Sequence, residues 1–210
     1  MICIASADPR SPEATGLMTE LSAELSRRYP EKARQSHTIL DVSDFIIPGS
    51  VLVVARVEDR IAGCGAFRPI EPETAEIKRM YVAADACRQG IGKAILAGLE
   101  RLEAQFGYRR LRLETGIRQP EAIALYTNFG FVRIPCFGKY ATDPLSVCFE
   151  KENRAGQKAI SPRATLRWRE GKLGVGSSPL SLSHADIRRT LSGLPASRRH
   201  SPRQAESSAS

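Results

Sequence analysis

The most constraining part of this chain is Cys87–Phe106, CRQGIGKAILAGLERLEAQF, where two closely spaced glycines lead into a helical pattern. Ile91, Ile95, Leu99, Leu102 and Phe106 step by 4, 4, 3 and 4 residues along one face, with Glu100, Arg101 and Glu103 off that stripe. Gly107 follows as a left-handed C-terminal residue would. On one side lies the strand-like run Thr74–Val82 (TAEIKRMYV), and on the other Arg109–Thr115 (RRLRLET), where leucines alternate with charged residues. A strand, a helix and a second strand in that order predict a crossover unit over residues 74–115, which demands a sheet with at least one parallel pair.

The flanking sequence supplies the rest of a mixed α/β domain. Ile2–Ser6 predicts a short strand, and Leu17, Leu21 and Leu25 repeat every four residues through a helix over Pro12–Arg28. Val51–Val57 and Ile61–Arg68 predict a hairpin across Glu58-Asp59-Arg60. Pro120–Asn128 starts with proline in the favoured first turn of a helix. Phe131–Ile134 and Ser146–Glu150 predict closing strands, whereas residues 29–50 carry no clear pattern. One strand has a defect: Ile77 and Met80 are three apart, and Met80 and Val82 two apart. An apolar face that slips by one residue predicts a β-bulge, a feature common beside active sites.

Charge divides the chain at about residue 152. Residues 1–152 hold 20 Lys+Arg against 20 Asp+Glu, while residues 153–210 hold 11 against 3, so the net charge of +8 belongs to the last 58 residues. That segment has eleven serines and one aromatic, Trp168, and predicts a disordered basic tail. The division is therefore a domain over 1–152 and a Ser/Arg-rich tail over 153–210. Five cysteines without a Cys-x-x-Cys pair read as small buried hydrophobes in a reducing compartment rather than as disulfides. Three scattered histidines suggest no metal site, and His37 reads as a surface or entrance residue. No stretch reaches the roughly 20 apolar residues of a membrane helix, and the N-terminus lacks the pattern of a signal peptide, so a cytoplasmic protein is expected.

Three anion-binding patterns compete for the glycine pair. A P-loop would need glycine at 87 and a hydroxyl at 94, where Cys87 and Ala94 stand. A dinucleotide fingerprint would need glycine at 95, where Ile95 stands. The acyl-CoA pattern, [QR]-x-x-G-x-[GA], reads here as Cys87-Arg88-Gln89-Gly90-Ile91-Gly92, with Cys87 in place of the usual Gln or Arg. In each case the helix start offers unpaired N–H groups and roughly half a positive charge to a phosphate.

Taken in order, EIKRMYV, the Gly-x-Gly loop and its helix, RLRLET and PEAIALYTNFGF make residues 2–152 resemble the GNAT superfamily of acetyl-CoA-dependent N-acetyltransferases. The resemblance implies a mostly antiparallel central sheet with flanking helices and a bulged, splayed central strand. It implies acetyl-CoA as co-substrate and no metal, with the pantetheine arm on the backbone of Met80 and Val82 and Met80–Tyr81 as donor to the thioester carbonyl. The diphosphate would lie on Arg88, Gln89, Gly90, Ile91, Gly92 and Lys93. Tyr126 is implied as general acid and Glu76 as general base, with Glu114 second, while Gln119 stands where the family often has Asn. Arg68, Tyr81 and Tyr140 are candidates for the acceptor side. The expected partner is a small-molecule or peptide amine, with a homodimer left open, no membrane, and nucleic acid only weakly through the tail. Two other readings stand beside it: the tail as a nucleic-acid-binding arm carried by the domain, and a non-catalytic acetyl-CoA sensor.

Overall fold

The computed structural model describes residues 1–33 and 42–152. The expectations of a disordered tail over 153–210 and of a surface position for His37 both fall outside the described residues.

The chain runs β1 (Ile2–Ser6), α1 (Pro12–Arg28), α2 (Pro30–Ala33), β2 (Val51–Val57), β3 (Arg60–Glu71), β4 (Thr74–Val82), α3 (Ile91–Phe106), β5 (Arg110–Gly116), α4 (Pro120–Asn128), β6 (Val132–Ile134) and β7 (Ser146–Glu152). Single 3₁₀ turns sit at Ser43–Phe45, Ala84–Ala86 and Gly138–Tyr140. The strands form one seven-stranded sheet in the order β1-β2-β3-β4-β5-β7-β6. Only β4 and β5 are parallel, joined through α3, as the crossover unit requires. The sheet is thus mixed and mostly antiparallel, with helices on its faces.

Two apolar layers sandwich the sheet. The α3 stripe packs on one face, where Ile91, Ile95 and Leu99 are buried against Ile4, Val53, Phe67 and Ile77. Glu103 departs from the sequence reading, since it is fully buried. It lies four residues after Leu99, so helical geometry carries it inward regardless of its charge. On the other face Ala14, Leu17 and Met18 of α1 pack on Leu52, Val54, Cys64 and Ala66. Ser11 caps α1 by accepting a hydrogen bond from Ala14 N–H at 3.2 Å, and Pro12 occupies its first turn. Leu25, the last leucine of the α1 stripe, is only half-buried.

The cysteine expectation is overturned at one pair. Cys136 and Cys148 form a disulfide with a Cα–Cα distance of 5.1 Å. The β6–β7 pairing explains it: Ile134 lies opposite Cys148, so the chain two residues past β6 returns beside that strand. This proximity comes from strand register, which a spacing of 12 residues does not reveal. Cys64 is buried as expected, whereas Cys87 is exposed.

Candidate active site

The slip in the apolar pattern of β4 is a bulge. The β3–β4 register pairs Ala66 with Lys78 and Cys64 with Tyr81, leaving Arg79 and Met80 opposite Gly65 alone. Arg79 absorbs the extra residue at φ +57°, a conformation uncommon outside glycine. A Cβ at Gly65 would lie 2.7 Å from Met80 Sδ and 2.6 Å from Ile95 Cγ2, so only glycine lets the bulge and α3 close together.

The bulge separates β4 from β5. The parallel pairing begins at Thr74 with Arg110 and ends at Ile77 with Leu113. β5 continues along β7 as far as Gly116 opposite Ser146, while β4 continues along β3. Beyond the bulge, Ala83 N–H donates to the Ala62 carbonyl at 2.9 Å. Bonded groups alternate along an antiparallel strand, so Val82, opposite Gly63, turns its own N–H and C=O away from β3. Those groups face the side that β5 has left.

The glycine loop ends against this gap. Gly90 caps α3 at φ +78°, and Arg88 is also left-handed at φ +63°. A Cβ on Gly90 would meet nothing within 4 Å, so backbone conformation is what demands glycine there. At Gly92 a Cβ would come within 3.1 Å of Leu125 Cδ2 and 3.7 Å of Val82 Cγ2. At Gly92 the tight neighbour is thus the Leu125 side chain of α4, while the distance to Val82 is ordinary contact. The first intrahelical bond runs from Ala94 N–H to the Gly90 carbonyl at 3.0 Å. Ile91, Gly92 and Lys93 consequently have no intrahelical acceptor for their N–H groups. Arg88, Gln89 and Lys93 are exposed around them. An exposed helix start flanked by two cations and free of side-chain bulk fits a diphosphate.

Between the splayed strands lies a cleft of about 580 Å³. One wall is the C-terminal half of α1, with Leu21, Ser22 and Leu25. The floor is Glu76, Lys78, Arg79 and Met80 from β4 and Glu114 and Thr115 from β5. Tyr126, Lys139 and Tyr140 also line it.

Tyr126 is 5% exposed and packs edge-on to Phe131, with centroids 5.9 Å apart. Its hydroxyl has no hydrogen-bond partner among the described residues. Burial, reinforced by the Glu114 carboxylate, pushes its pKa up, so it holds its proton at neutral pH. Glu76 is 1% exposed and fully engaged. Arg68 Nε donates to its Oε2 at 2.9 Å, the Tyr140 hydroxyl donates to its Oε1 at 3.0 Å, and Lys78 Nζ lies 3.5 Å from Oε1. Arg68 also bridges to Asp44 at 2.8 Å. Desolvation pushes the Lys78 pKa down, and its Nζ donates to the Tyr140 hydroxyl at 2.8 Å. Glu114 accepts at Oε1 from Ser146 Oγ, 2.6 Å away.

The structure thus brings Tyr126, Glu76, Glu114, Met80 and Tyr140 into one cleft, and it sets Gly92 beside Val82 and Leu125, whereas Val82 and Arg88, Gln89, Gly90, Ile91, Gly92 and Lys93 do not line that cleft. Arg68 reaches it through Glu76. Tyr81 does not join them: its hydroxyl donates to Glu20 Oε2 at 3.2 Å, and its ring packs beside the α1 cluster. Residues absent from the sequence reading are Lys78, Arg79, Lys139 and Ser146, whose positions depend on the splay and on an aperiodic loop. Among the described residues no group of three or more His, Cys, Asp or Glu could hold a metal, and no helix is long and apolar enough to cross a membrane.

Residues 16–131 match the profile of the acetyltransferase (GNAT) family. An IAA acetyltransferase from Azospirillum brasilense is 35% identical over 151 residues, covering 71% of this chain and 97% of that protein. A solved structure from Klebsiella pneumoniae, classed by name with the acyl-CoA N-acyltransferases, is 33% identical with a TM-score of 0.64, covering 72% of this chain and 97% of that one. A GNAT acetyltransferase from Elizabethkingia anophelis, solved with acetyl-CoA bound, shares the fold at 21% identity and a TM-score of 0.51, over 72% of this chain and 98% of that one. A strand bulged at Arg79, a helix start left bare at Gly90 and a profile match spanning both have one common reading: the chain belongs to the GNAT family of acetyltransferases.

Proposed function

We propose that this protein transfers the acetyl group of acetyl-CoA to the amine of a small molecule or peptide, by direct attack within a ternary complex. The observation that carries the proposal is the gap between β4 and β5, which joins a phosphate-ready helix start to a cleft holding both a free carboxylate oxygen and a protonated phenol. Acetyl-CoA, when bound, supplies an acyl group activated as a thioester.

The chain's own groups divide the remaining work. N–H groups of Ile91, Gly92 and Lys93 hold the diphosphate, with Arg88 and Lys93 adding charge. The outward N–H and C=O of Val82 pair with the pantetheine arm as a neighbouring strand would. Met80, two residues before Val82, turns its N–H the same way and holds the acyl oxygen, where one such donor is worth about a hundredfold to a thousandfold in rate.

An amine must lose a proton before it attacks, since ammonium groups with pKa values near 10 are charged at neutral pH. The base is assigned here to Glu114, the second candidate from sequence, ahead of Glu76. Both Glu76 oxygens already accept from Arg68, Tyr140 or Lys78, whereas Glu114 Oε2 has no such donor among the described residues. Glu76 is then a positioning residue that fixes Tyr140 and Lys78. Tyr126 Oη holds the proton that the departing sulfur takes up.

Two measurements test the proposal. Calorimetry should detect acetyl-CoA binding, and thiol release from acetyl-CoA should accelerate with at least one amine among amino acids, polyamines, aminoglycosides and peptide N-termini. Binding without turnover on any amine would leave only the sensor reading. No binding at all would remove both.

A further inference from the structure

We infer that the acceptor is an amino acid: a small molecule carrying a carboxylate beside its amine, on an apolar body. The inference rests on the acyl-transfer reading above and specifies its substrate.

Charges facing the cleft are mostly paired within the protein. Lys32 pairs with Asp143 at 2.5 Å, Asp44 with Arg68 at 2.8 Å and Lys78 with Glu76 at 3.5 Å. Three charges are left over among the described residues. Glu114 is held by a neutral hydroxyl alone, and neither Arg79 nor Lys139 has a carboxylate partner. Arg79 is the most informative. Its Nε is buried and makes no hydrogen bond to any described residue, and the residue lines the cleft. A buried Nε without an acceptor is costly, and the rest of the guanidinium, on a residue that is only half-buried, is what a carboxylate entering the cleft would pair with. It is also mounted on the strained bulge residue, at φ +57°, in the middle of the cleft floor. Strain of this kind gathers where a ligand contact repays it.

One anion and two cations without a charged partner among the described residues form the complement of a zwitterion. Glu114 takes the amine, and Arg79 with Lys139 takes the carboxylate. Leu21, Leu25 and Tyr29 line the α1 side without charge and suit an aliphatic or aromatic side chain. A polyamine would set further cations against Arg79 and Lys139, which opposes that class.

The test uses the full chain with amine pairs that differ only in the carboxylate: leucine against 3-methylbutylamine, methionine against 3-(methylthio)propylamine, and phenylalanine against phenethylamine. ω-Amino acids with their simple alkylamine counterparts extend the spacing. Thiol release should give kcat/KM at least about tenfold higher for the carboxylate-bearing member of some pair. Arg79→Gln should collapse that ratio by roughly tenfold to a hundredfold. Lys139→Gln, at an exposed residue, should lower it severalfold. Calorimetry of N-acetyl-leucine against N-(3-methylbutyl)acetamide gives the same comparison without turnover.

Equal turnover within every pair would overturn the inference while leaving acyl transfer intact. A large ratio untouched by either substitution would overturn it as well, by removing the residues assigned to it. Turnover of no amine, with acetyl-CoA still bound, would instead overturn the acyl-transfer reading and this inference together.

Discussion

Replacing Gly90 separates what the backbone needs from what the ligand needs. Gly90 sits at φ +78°, and a Cβ there meets no protein atom within 4 Å. Gly90→Ala therefore creates no collision, and its whole structural cost is that of a left-handed L-residue, about 1–2 kcal/mol. At about 2–4 °C per kcal/mol for a domain of this size, the melting temperature should fall by about 2–8 °C. Acetyl-CoA affinity should fall separately. Even one lost charge-assisted hydrogen bond from the helix start is worth about 1.5–3 kcal/mol, or roughly tenfold to a hundredfold in Kd.

Gly90→Asn distinguishes the two effects, because asparagine tolerates the left-handed region better than alanine. It should recover much of the melting temperature while acetyl-CoA still binds weakly. Calorimetry at a temperature where all three proteins are folded gives Kd, and thermal unfolding gives stability. If Gly90→Ala and Gly90→Asn bind acetyl-CoA as tightly as the unchanged protein, the helix start does not hold the diphosphate. If affinity merely tracks the melting temperature, Gly90 has a structural role alone.

Tyr126→Phe should lower kcat by about a hundredfold or more with little change in melting temperature, since the hydroxyl makes no hydrogen bond to a described residue; unchanged turnover would remove the acid. Glu114→Gln and Glu76→Gln should separate in opposite directions. Glu114→Gln should cost most in kcat, while Glu76→Gln should cost most in stability, about 1–3 kcal/mol, because it strips a charge from the partly exposed Arg68 and Lys78; the reverse ranking in paired kinetic and melting measurements would restore Glu76 as base. Alkaline titration should show tyrosine ionisation delayed. Burial holds Tyr81 and Tyr108 up at about 12 and pushes Tyr126 and Tyr140 up as well. Between the unfolded value near 10 and these raised folded values the native state keeps protons that the unfolded chain has lost, so stability should fall as pH rises through that range. Absorbance at about 295 nm that reports full tyrosinate at about pH 10.5 in protein still folded by circular dichroism would contradict the burial of these rings.

Legibility of the fold from sequence followed how local each signal was. The α3 stripe could be read because helical periodicity and two terminal glycines lie within twenty residues of chain. The β4 bulge could be read because a phase slip in apolar residues is visible without knowing the partner strand. The Cys136–Cys148 bond could not, since it depends on which residues β6 and β7 place opposite each other. Lys78 and Arg79 carry no signal of their own in the sequence, and they face a cleft only because β5 pairs with β7 where β4 no longer follows. Tyr140 reaches Glu76 from a single turn with no periodicity, so its position among the candidates rested on no pattern.

A single residue links the cofactor half of the site to the acceptor half. Were Arg79 kept in a regular, unbulged β4, Ile77 and Tyr81 would share a face, and Lys78 and Met80 the other. With the bulge, Ile77 and Met80 both face α3, where Gly65 leaves room for the thioether. Lys78 and Arg79 together fall on the α1 side, the cleft side. The same change of phase takes Val82 out of reach of β5 and leaves its backbone open. Deleting Arg79 should therefore remove both properties at once, restoring pairing to β5 and closing the cleft. Substituting Arg79 with Gln keeps the residue count, so the splay and the acetyl-CoA groove persist while the charge is lost. If deletion and substitution gave the same acetyl-CoA affinity, the bulge would matter only for the side chain it carries.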